Sequence, residues 1–588
     1  MKLLGLLILG YALLVMRLFY IQVIRAPYYK EMAQELTLKK IVLPARRGTI
    51  FDRNGNKLAV SVEAFNIGAR PTAIKDKEGT AAFLAPLLKR DREELLSILK
   101  NRRKFTYLAR RLDFETGSRI KKEKLPGIDV ESTTKRIYPG KSLAAHIIGF
   151  TNVDGKGIEG LERKFNRELK GSDGYVIAQF DARGKVIPGT RRERIEPVNG
   201  DDLVLTIDST IQHAMEESLA KDAYEAYSAA GASAVMIDPK TGEILALANM
   251  PTFDLNHVKG TDAACRRNRA VTDLYEPGST LKTMTVCAAL QENAISATDT
   301  FACHGSKAIG KRTIRCVLHG PFGGGHGAVN AEMILRVSCN IGAAGVGMTL
   351  GAEKLYEYEE KFGMYERPGT EMPGEALGWH DNWKDWPDIR LSNIAFGQGI
   401  AITPLQMTKA YSAVANDGVM MKPHVVKEIR HPDGTVAKKF VPREVRRILS
   451  ADTARKVGKM LYGVVSEAHG TGKPAQVEGY MVGGKTGSAQ KAGKHGYEPG
   501  KFVASFIGYL PVSNPTAVIL VAVDEPKGMH WGATCAAPVF QKVARKAMWH
   551  MKVPPDGRLP DESAPSASGT KPRGQASDDE PVRARLGG

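Results

Sequence analysis

Three short polar segments constrain this chain more than anything else in it: Ser279-Thr280-Leu281-Lys282, Ser338-Cys339-Asn340 and Lys485-Thr486-Gly487. Each is chemically incomplete alone. A serine hydroxyl is a poor nucleophile without an adjacent base. Ser279 and Lys282 stand at i and i+3, on one face of the helix they open. A lysine is a base only when neutral, and burial, a helix N-terminus and a second cation each lower its pKa. Lys485 is the candidate second cation. The Ser338 hydroxyl is suited to relay a proton, and the Asn340 amide to hold a peptide group. Thr486 and Lys485 suit a substrate carboxylate, and Gly487 admits a close backbone approach. The N–H of Ser488 can join that of Ser279 as an oxyanion hole. A fold that uses all of this must bring a helix start, a turn after a helix and a strand edge to one pocket.

The local contexts agree. Pro277-Gly278 breaks the preceding segment, and Leu281, Met284, Val286 and Leu290 give the next one a helical apolar pattern. Ala331 to Val337 reads as a helix leading into Ser338. Gly479 to Thr486 also fits the G-x-x-x-x-G-K-[ST] phosphate loop. That loop needs a buried strand before it and a long helix after it. Lys473 to Glu478 is too polar for the first, and Gly487, Gly493, Gly496 and Pro499 rule out the second. The segment is expected to be an edge strand. Taken singly, S-x-x-K is no more than a helix cap and a first-turn lysine, and Ser-Cys-Asn no more than a cap or turn.

The N-terminus is the next constraint. Leu3 to Val23 is apolar except for Arg17 and Gln22. About 21 residues at about 1.5 Å each span roughly 30 Å, one bilayer core. Tyr20, Tyr28 and Tyr29 suit an interface. No small-x-small cleavage site follows, so an uncleaved anchor is expected over residues 1–24. Arg25, Lys30, Lys39 and Lys40 follow the span, so charge does not support an exported C-terminus. The chain beyond it is placed outside on its motifs instead.

The length of 588 residues calls for more than one core, and the net charge of +19 is spread along the chain. No zinc-finger spacing or recognition helix points to nucleic acid. Of the six cysteines none shows C-x-x-C spacing, and no metal site is expected. Cys303 and Cys316 flank a stretch that reads as a hairpin and are candidates to pair in an oxidising compartment, a closure contributing about 3 kcal/mol. Cys287, on an apolar helix, reads as a buried free thiol.

Residues 25–205 are mixed, basic and rich in turns. Two clusters stand out there, Arg47 to Gly55 and Arg136 to Glu162, and turn chemistry with paired charges accounts for both. Near residue 200 the pattern changes. Leu203 to Ile207 reads as a strand, with a helix from Thr210 capped by Asp208 or Ser209. A hairpin turns at Asp238 to Gly242, strands cover Val503 to Tyr509 and Ala517 to Val523, and a helix closes at Ala536 to Met551. Strand, helices and then strands predict an α/β (α+β) domain over 206–552 with one central antiparallel sheet. Residues 553–588 lack large apolar residues and read as a disordered tail.

The chain resembles the class B penicillin-binding proteins, and among them the septal peptidoglycan D,D-transpeptidases of cell division. The resemblance rests on RGTIFDRNGNKLAVS (47–61), HIIGFTNVDGKGIEGLE (146–162), RNRAVTDLYEPGSTLK (267–282), SCN (338–340), FGQGIAITPLQ (396–406) and GGKTGSAQ (483–490). It departs from the usual pattern in having Ser488 where a threonine is common, which keeps the hydroxyl. The resemblance implies a transpeptidase domain with a central antiparallel sheet and a helical subdomain, set on a mostly β, elongated pedestal (25–205) behind one transmembrane helix. It implies that Ser279 attacks the penultimate D-Ala carbonyl of a stem peptide, releases terminal D-Ala, and passes the acyl group to a neighbouring strand's amine. It further implies β-lactams as trapping analogues, a polytopic septal glycosyltransferase and other division proteins as partners, no cofactor, and an inner-membrane site with the catalytic domain periplasmic, at the septum.

A side-wall transpeptidase of elongation shares these features. A D,D-carboxypeptidase differs only in using water as acceptor. A β-lactamase would be shorter and unanchored, and a membrane-tethered β-lactam sensor would have more spans or an effector. A non-catalytic scaffold of the division complex remains the alternative from another class, against which the intact Ser279, Lys282 and Lys485 weigh.

Overall fold

The computed structural model describes residues 2–101, 105–179, 187–189, 193–316, 324–493 and 496–557; the expected tail from residue 558 on lies outside them. At its centre is a five-stranded antiparallel sheet. Its order is Ile244–Met250, Gly231–Ile237, Ala517–Asp524, Gly496–Leu510 and Gly483–Gly493 at the edge. The inner strands Gly231–Ile237 and Ala517–Asp524 are almost wholly apolar because both faces are covered. In Ala517–Asp524 the alternation sorts them: Ile519, Val521 and Val523 face one core, and Val518, Leu520 and Ala522 the other.

The first core is closed by the helices Ser209–Leu219 and Ala537–His550, through Ile211, Met215, Phe540 and Val543. The second is closed by the helices Pro404–Ala415 and Ala451–Ser466 and by a helical subdomain built on Lys282–Gln291, Asn340–Leu350 and Ala352–Lys361. Pro404–Ala415 is buried on every side, so its polar side chains all need partners. Its start carries a full capping box, Thr403 with Gln406. The expected helix after Leu203 begins at Ser209, with the Asp208 carboxylate accepting from the N–H groups of Thr210 and Ile211.

A second, seven-stranded sheet joins the N-terminal part to the rest. Val436–Lys439, Val426–Arg430, Asp202–Leu205, Ile50–Phe51, Lys57–Ala69 and Thr106–Asp113 follow one another, and Ile128–Ile137 also pairs with Lys57–Ala69. Helices Lys77–Leu88, Arg92–Lys100 and Phe114–Glu123 pack on its outer end through Leu84, Leu95, Leu99 and Ile120. At the N-terminus the helix Lys2–Phe19 continues through a wider turn to Ile24, and this 23-residue stretch is long and apolar enough to cross a membrane. None of the Lys2–Phe19 helix is buried by the rest of the chain.

The two clusters singled out in the N-terminal sequence meet in one buried ion triad. Arg47 Nε donates to Glu162 Oε2 at 2.6 Å, and Arg136 Nε to Oε1 at 2.7 Å. Glu162 is fully buried and both guanidiniums nearly so. Arg136 also donates to the carbonyl of Gly48 at 2.7 Å, and Arg47 to that of Glu162 at 2.8 Å. Removing the single carboxylate strands two buried cations. Glu162→Ala is expected to cost about 3–5 kcal/mol, measured as a shift in the urea midpoint at unchanged slope.

Candidate active site

Ser279 lies in a tight turn, Gly278–Thr280, that runs straight into the helix Lys282–Gln291. The turn is held from three sides. Gly278 N donates to Gly397 O at 2.9 Å. Gly397 has a φ of +91°, and a Cβ there would run into the backbone of Gly278, so only glycine fits. The buried Tyr411 hydroxyl donates to Thr280 O at 2.8 Å and lies 2.7 Å from Thr283 Oγ1. The edge strand closes the third side, where a Cβ on Gly487 would clash with Ser505 Oγ and crowd Pro277 O. Tyr411 and Gly397 are site residues that the sequence reading does not find. Gly397 lies in the quoted 396–406 stretch, but nothing in the chain announces Tyr411.

Ser338 follows the helix Ala331–Arg336 with a left-handed backbone (φ +58°), and Asn340 begins the helix Asn340–Leu350. This bend turns both side chains toward Lys282. Lys282 Nζ donates to Ser338 O at 2.7 Å, to Asn340 Oδ1 at 2.6 Å and to Ser338 Oγ at 3.2 Å. From the other side Lys485 Nζ donates to Ser338 Oγ at 3.1 Å and to Thr486 O at 3.1 Å. One hydroxyl thus stands between two fully buried amines. Burial pushes Lys282 down to about 8, against the sulfurs of Cys316 and Cys339, which pull it up. Burial first, and then the charge of Lys282, holds Lys485 well below the ordinary lysine range.

All three motifs therefore converge. Ser279, Ser338, Asn340, Thr486, Gly487 and Ser488 line one pocket of about 510 Å³. The Thr486 hydroxyl donates to Thr471 Oγ1 at 3.1 Å, and Ser488 Oγ accepts from Gly532 N at 3.0 Å. Gly483–Gly493 is the edge strand expected, not a phosphate loop.

The comparisons with known proteins agree with this geometry. The penicillin binding protein transpeptidase domain matches residues 232–545, and the penicillin-binding protein dimerisation domain matches residues 42–205. The chain belongs to the penicillin-binding protein transpeptidases. This transpeptidase is 34% identical over 546 residues to Stage V sporulation protein D of Bacillus subtilis (strain 168), covering 92% of this chain and 83% of that one. It is 31% identical over 565 residues to the peptidoglycan D,D-transpeptidase FtsI of Escherichia coli (strain K12), covering 94% and 92%. The crystal structure of penicillin binding protein 3 from Mycobacterium tuberculosis complexed with aztreonam superposes with a TM-score of 0.67 at 30% identity, covering 87% of this chain and 98% of that one.

One expectation is corrected. Cys303 and Cys316 do flank a hairpin, Ser306–Ile309 with Arg312–Arg315, but they are not bonded to each other; all six cysteines are free. The reason is a third partner. The strand Phe301–Cys303 pairs with Gly327–Val329 and so delivers His326 between them. Its Nδ1 lies 3.6 Å from Cys303 Sγ and 3.4 Å from Cys316 Sγ. Cys287 is buried and free, as expected.

With Lys282 as the base expected from the sequence, its burial has a kinetic consequence. Only its neutral form accepts a proton, so covalent uptake of a penicillin is expected to accelerate as pH rises and to level off above about 8. Single-turnover acylation rates across neutral to alkaline buffers check this; a rate falling through that interval contradicts it.

Proposed function

We propose that this transpeptidase cross-links peptidoglycan stem peptides during septal wall synthesis, with Ser279 as nucleophile. One observation carries the reading: the Ser338 hydroxyl stands within hydrogen-bond distance of both buried lysines, 3.2 Å from Lys282 and 3.1 Å from Lys485, at the wall of the pocket that Ser279 lines. The septal assignment draws on likeness to a relative named FtsI.

The chemistry follows. As a neutral amine Lys282 gives its two hydrogens to Ser338 O and Asn340 Oδ1, its two shortest contacts, and keeps a lone pair for the Ser279 proton. Ser279 Oγ attacks the penultimate D-Ala carbonyl, and the N–H groups of Ser279 and Ser488 hold the developing oxyanion. The tetrahedral adduct collapses as the C–N bond breaks. The departing D-Ala nitrogen takes a proton relayed through Ser338. Asn340 holds the peptide, and Lys485, Thr486 and Gly487 frame the end that bears the terminal carboxylate. An acceptor amine from a second stem then attacks the acyl carbon and gives a proton to Lys282, which passes it to Ser279 Oγ as the ester C–O bond breaks. A β-lactam enters the first half of this sequence and stops at the acyl-enzyme.

In this reading residues 1–24 anchor the chain in the cytoplasmic membrane, with the rest on the outer side. Residues 25–205 form a pedestal that lifts the catalytic domain, 206–552, from the bilayer and offers a surface to a polytopic glycosyltransferase and other division proteins.

Fluorescent penicillin labelling of the full chain in detergent tests the core of the proposal. Ser279→Ala is expected to abolish labelling with its melting transition retained. Ser338→Ala is expected to slow labelling by about 10²–10⁴-fold. Equal labelling of wild type and Ser279→Ala would refute the nucleophile.

A further inference from the structure

Directly behind the Ser338-Cys339-Asn340 motif four side chains converge. Cys303 Sγ, Cys316 Sγ, His326 Nδ1 and Cys339 Sγ all lie within 4.8 Å of one another. All three cysteines are buried. The chain brings these residues together from three places: a strand end (Cys303) and the residue before its partner strand (His326), the foot of a hairpin (Cys316), and the turn between two helices (Cys339). Spacings of 13, 10 and 13 residues, from positions 303, 316, 326 and 339, match no short metal motif, which is why the cluster cannot be read along the chain.

The separations are those of a ligand set. Zinc binds thiolate at about 2.3 Å and imidazole at about 2.0–2.1 Å in a tetrahedron. That geometry puts neighbouring sulfurs about 3.7 Å apart, and sulfur and nitrogen about 3.5 Å apart. Here Cys316 Sγ and Cys339 Sγ are 3.7 Å apart, and the two sulfur–nitrogen separations are 3.6 and 3.4 Å. A disulfide would bring two sulfurs to about 2.05 Å and leave the third thiol unpaired. The surroundings also suit thiolate ligands. Cys316 Sγ accepts from Asn340 N at 3.2 Å, and Cys339 Sγ from Gly342 N at 3.3 Å, the kind of outer hydrogen bonds that orient metal-bound sulfur. The His326 ring directs Nδ1 at the sulfurs, while its buried Nε2 has no hydrogen-bond partner among the described residues.

We propose that Cys303, Cys316, His326 and Cys339 form a structural zinc site that clamps the hairpin of Ser306–Ile309 and Arg312–Arg315 to the Ser338-Cys339-Asn340 turn. Three soft thiolates and one imidazole in a closed tetrahedron select zinc over magnesium or calcium. With four protein ligands and no open position, the ion is structural and not a Lewis acid for substrate. Loading displaces the three thiol protons to solvent and breaks no other bond. Cys339 stands between the two residues that contact Lys282, so the ion acts on the active site by position. That last step rests on the catalytic reading of Ser338 and Asn340; the zinc site does not.

Elemental analysis of the full chain, purified in detergent without chelator, is expected to give one zinc per chain. Cys303→Ser and His326→Ala are each expected to lose most of it. Cobalt loaded in its place is expected to show thiolate-to-metal charge-transfer absorption that Cys303→Ser diminishes. Wild-type protein without metal, a Cys316–Cys339 disulfide in its peptide map, or stoichiometric zinc retained in the Cys303→Ser/His326→Ala double variant would each overturn the site. Penicillin acylation of zinc-loaded and stripped protein tests the clamp separately. A slower acylation step at unchanged prior binding supports it, and identical acylation rates overturn it. Loss of Ser279 labelling even in loaded wild type would refute the catalytic reading and leave the zinc count intact.

Discussion

The site depends on burying two lysines around one hydroxyl. The hydrogen-bond partners of Lys282 and Lys485 are the neutral oxygens of Ser338, Asn340 and Thr486. Buried ammonium groups without a carboxylate are expensive, and two of them side by side more so. The least costly response is for one amine to give up its proton. Desolvation therefore favours the neutral amine, the form that the proposed general base requires, in a residue that water would keep charged. The scaffold's task is to keep that pocket closed behind the motifs while leaving Ser279 at its mouth.

That task explains why the surroundings are so constrained. In the proposed mechanism the Ser279 turn has little tolerance for displacement, because a base and its nucleophile must meet within hydrogen-bond range. The Gly278–Gly397 contact, the Tyr411 hydroxyl and the Gly487 strand edge hold it from separate elements. Tyr411 comes from a helix with no exposed face, so its hydroxyl must find partners in the protein, and the partners it finds are the Thr280 carbonyl and the Thr283 hydroxyl, beside Ser279. Burial and positioning are here the same requirement.

Local chemistry is legible in this sequence, and long-range pairing is hidden. Ser279, Lys282, Ser338, Asn340 and Lys485 can be read because each motif combines reactive residue types at fixed spacing. The edge strand can be read because the glycines after Thr486 forbid a helix. By contrast, Val426–Arg430 and Val436–Lys439 join an N-terminal sheet more than two hundred residues away, and no alternation pattern names a strand's neighbour. Arg47 and Glu162 each stand in a conspicuous cluster, yet only the fold shows that the two clusters neutralise each other. The cysteines mislead for a related reason. Proximity along the chain suggests that Cys303 and Cys316 pair, whereas strand pairing inserts His326 and the Ser338–Asn340 turn adds Cys339.

The same long-range pairing governs how the N-terminal part bears the catalytic one. A flexible tether after residue 205 would leave the pocket's orientation free. Instead Asp202–Leu205 lies inside the seven-stranded sheet, shortly before the Ser209–Leu219 helix that backs the central sheet. Asp208, between them, accepts from Asn54 Nδ2 at 2.9 Å and from the N–H groups of Thr210 and Ile211, and lies 3.0 Å from His550 Nε2. Arg53 adds an ion pair to Glu243 at 3.0 Å. One carboxylate thus ties the Arg47–Gly55 turn, the first catalytic helix and the closing helix together. Moving the N-terminal part against the pocket would break the pairing of Asp202–Leu205 with Val426–Arg430, the Arg53–Glu243 ion pair and the hydrogen bond from Asn54 to Asp208.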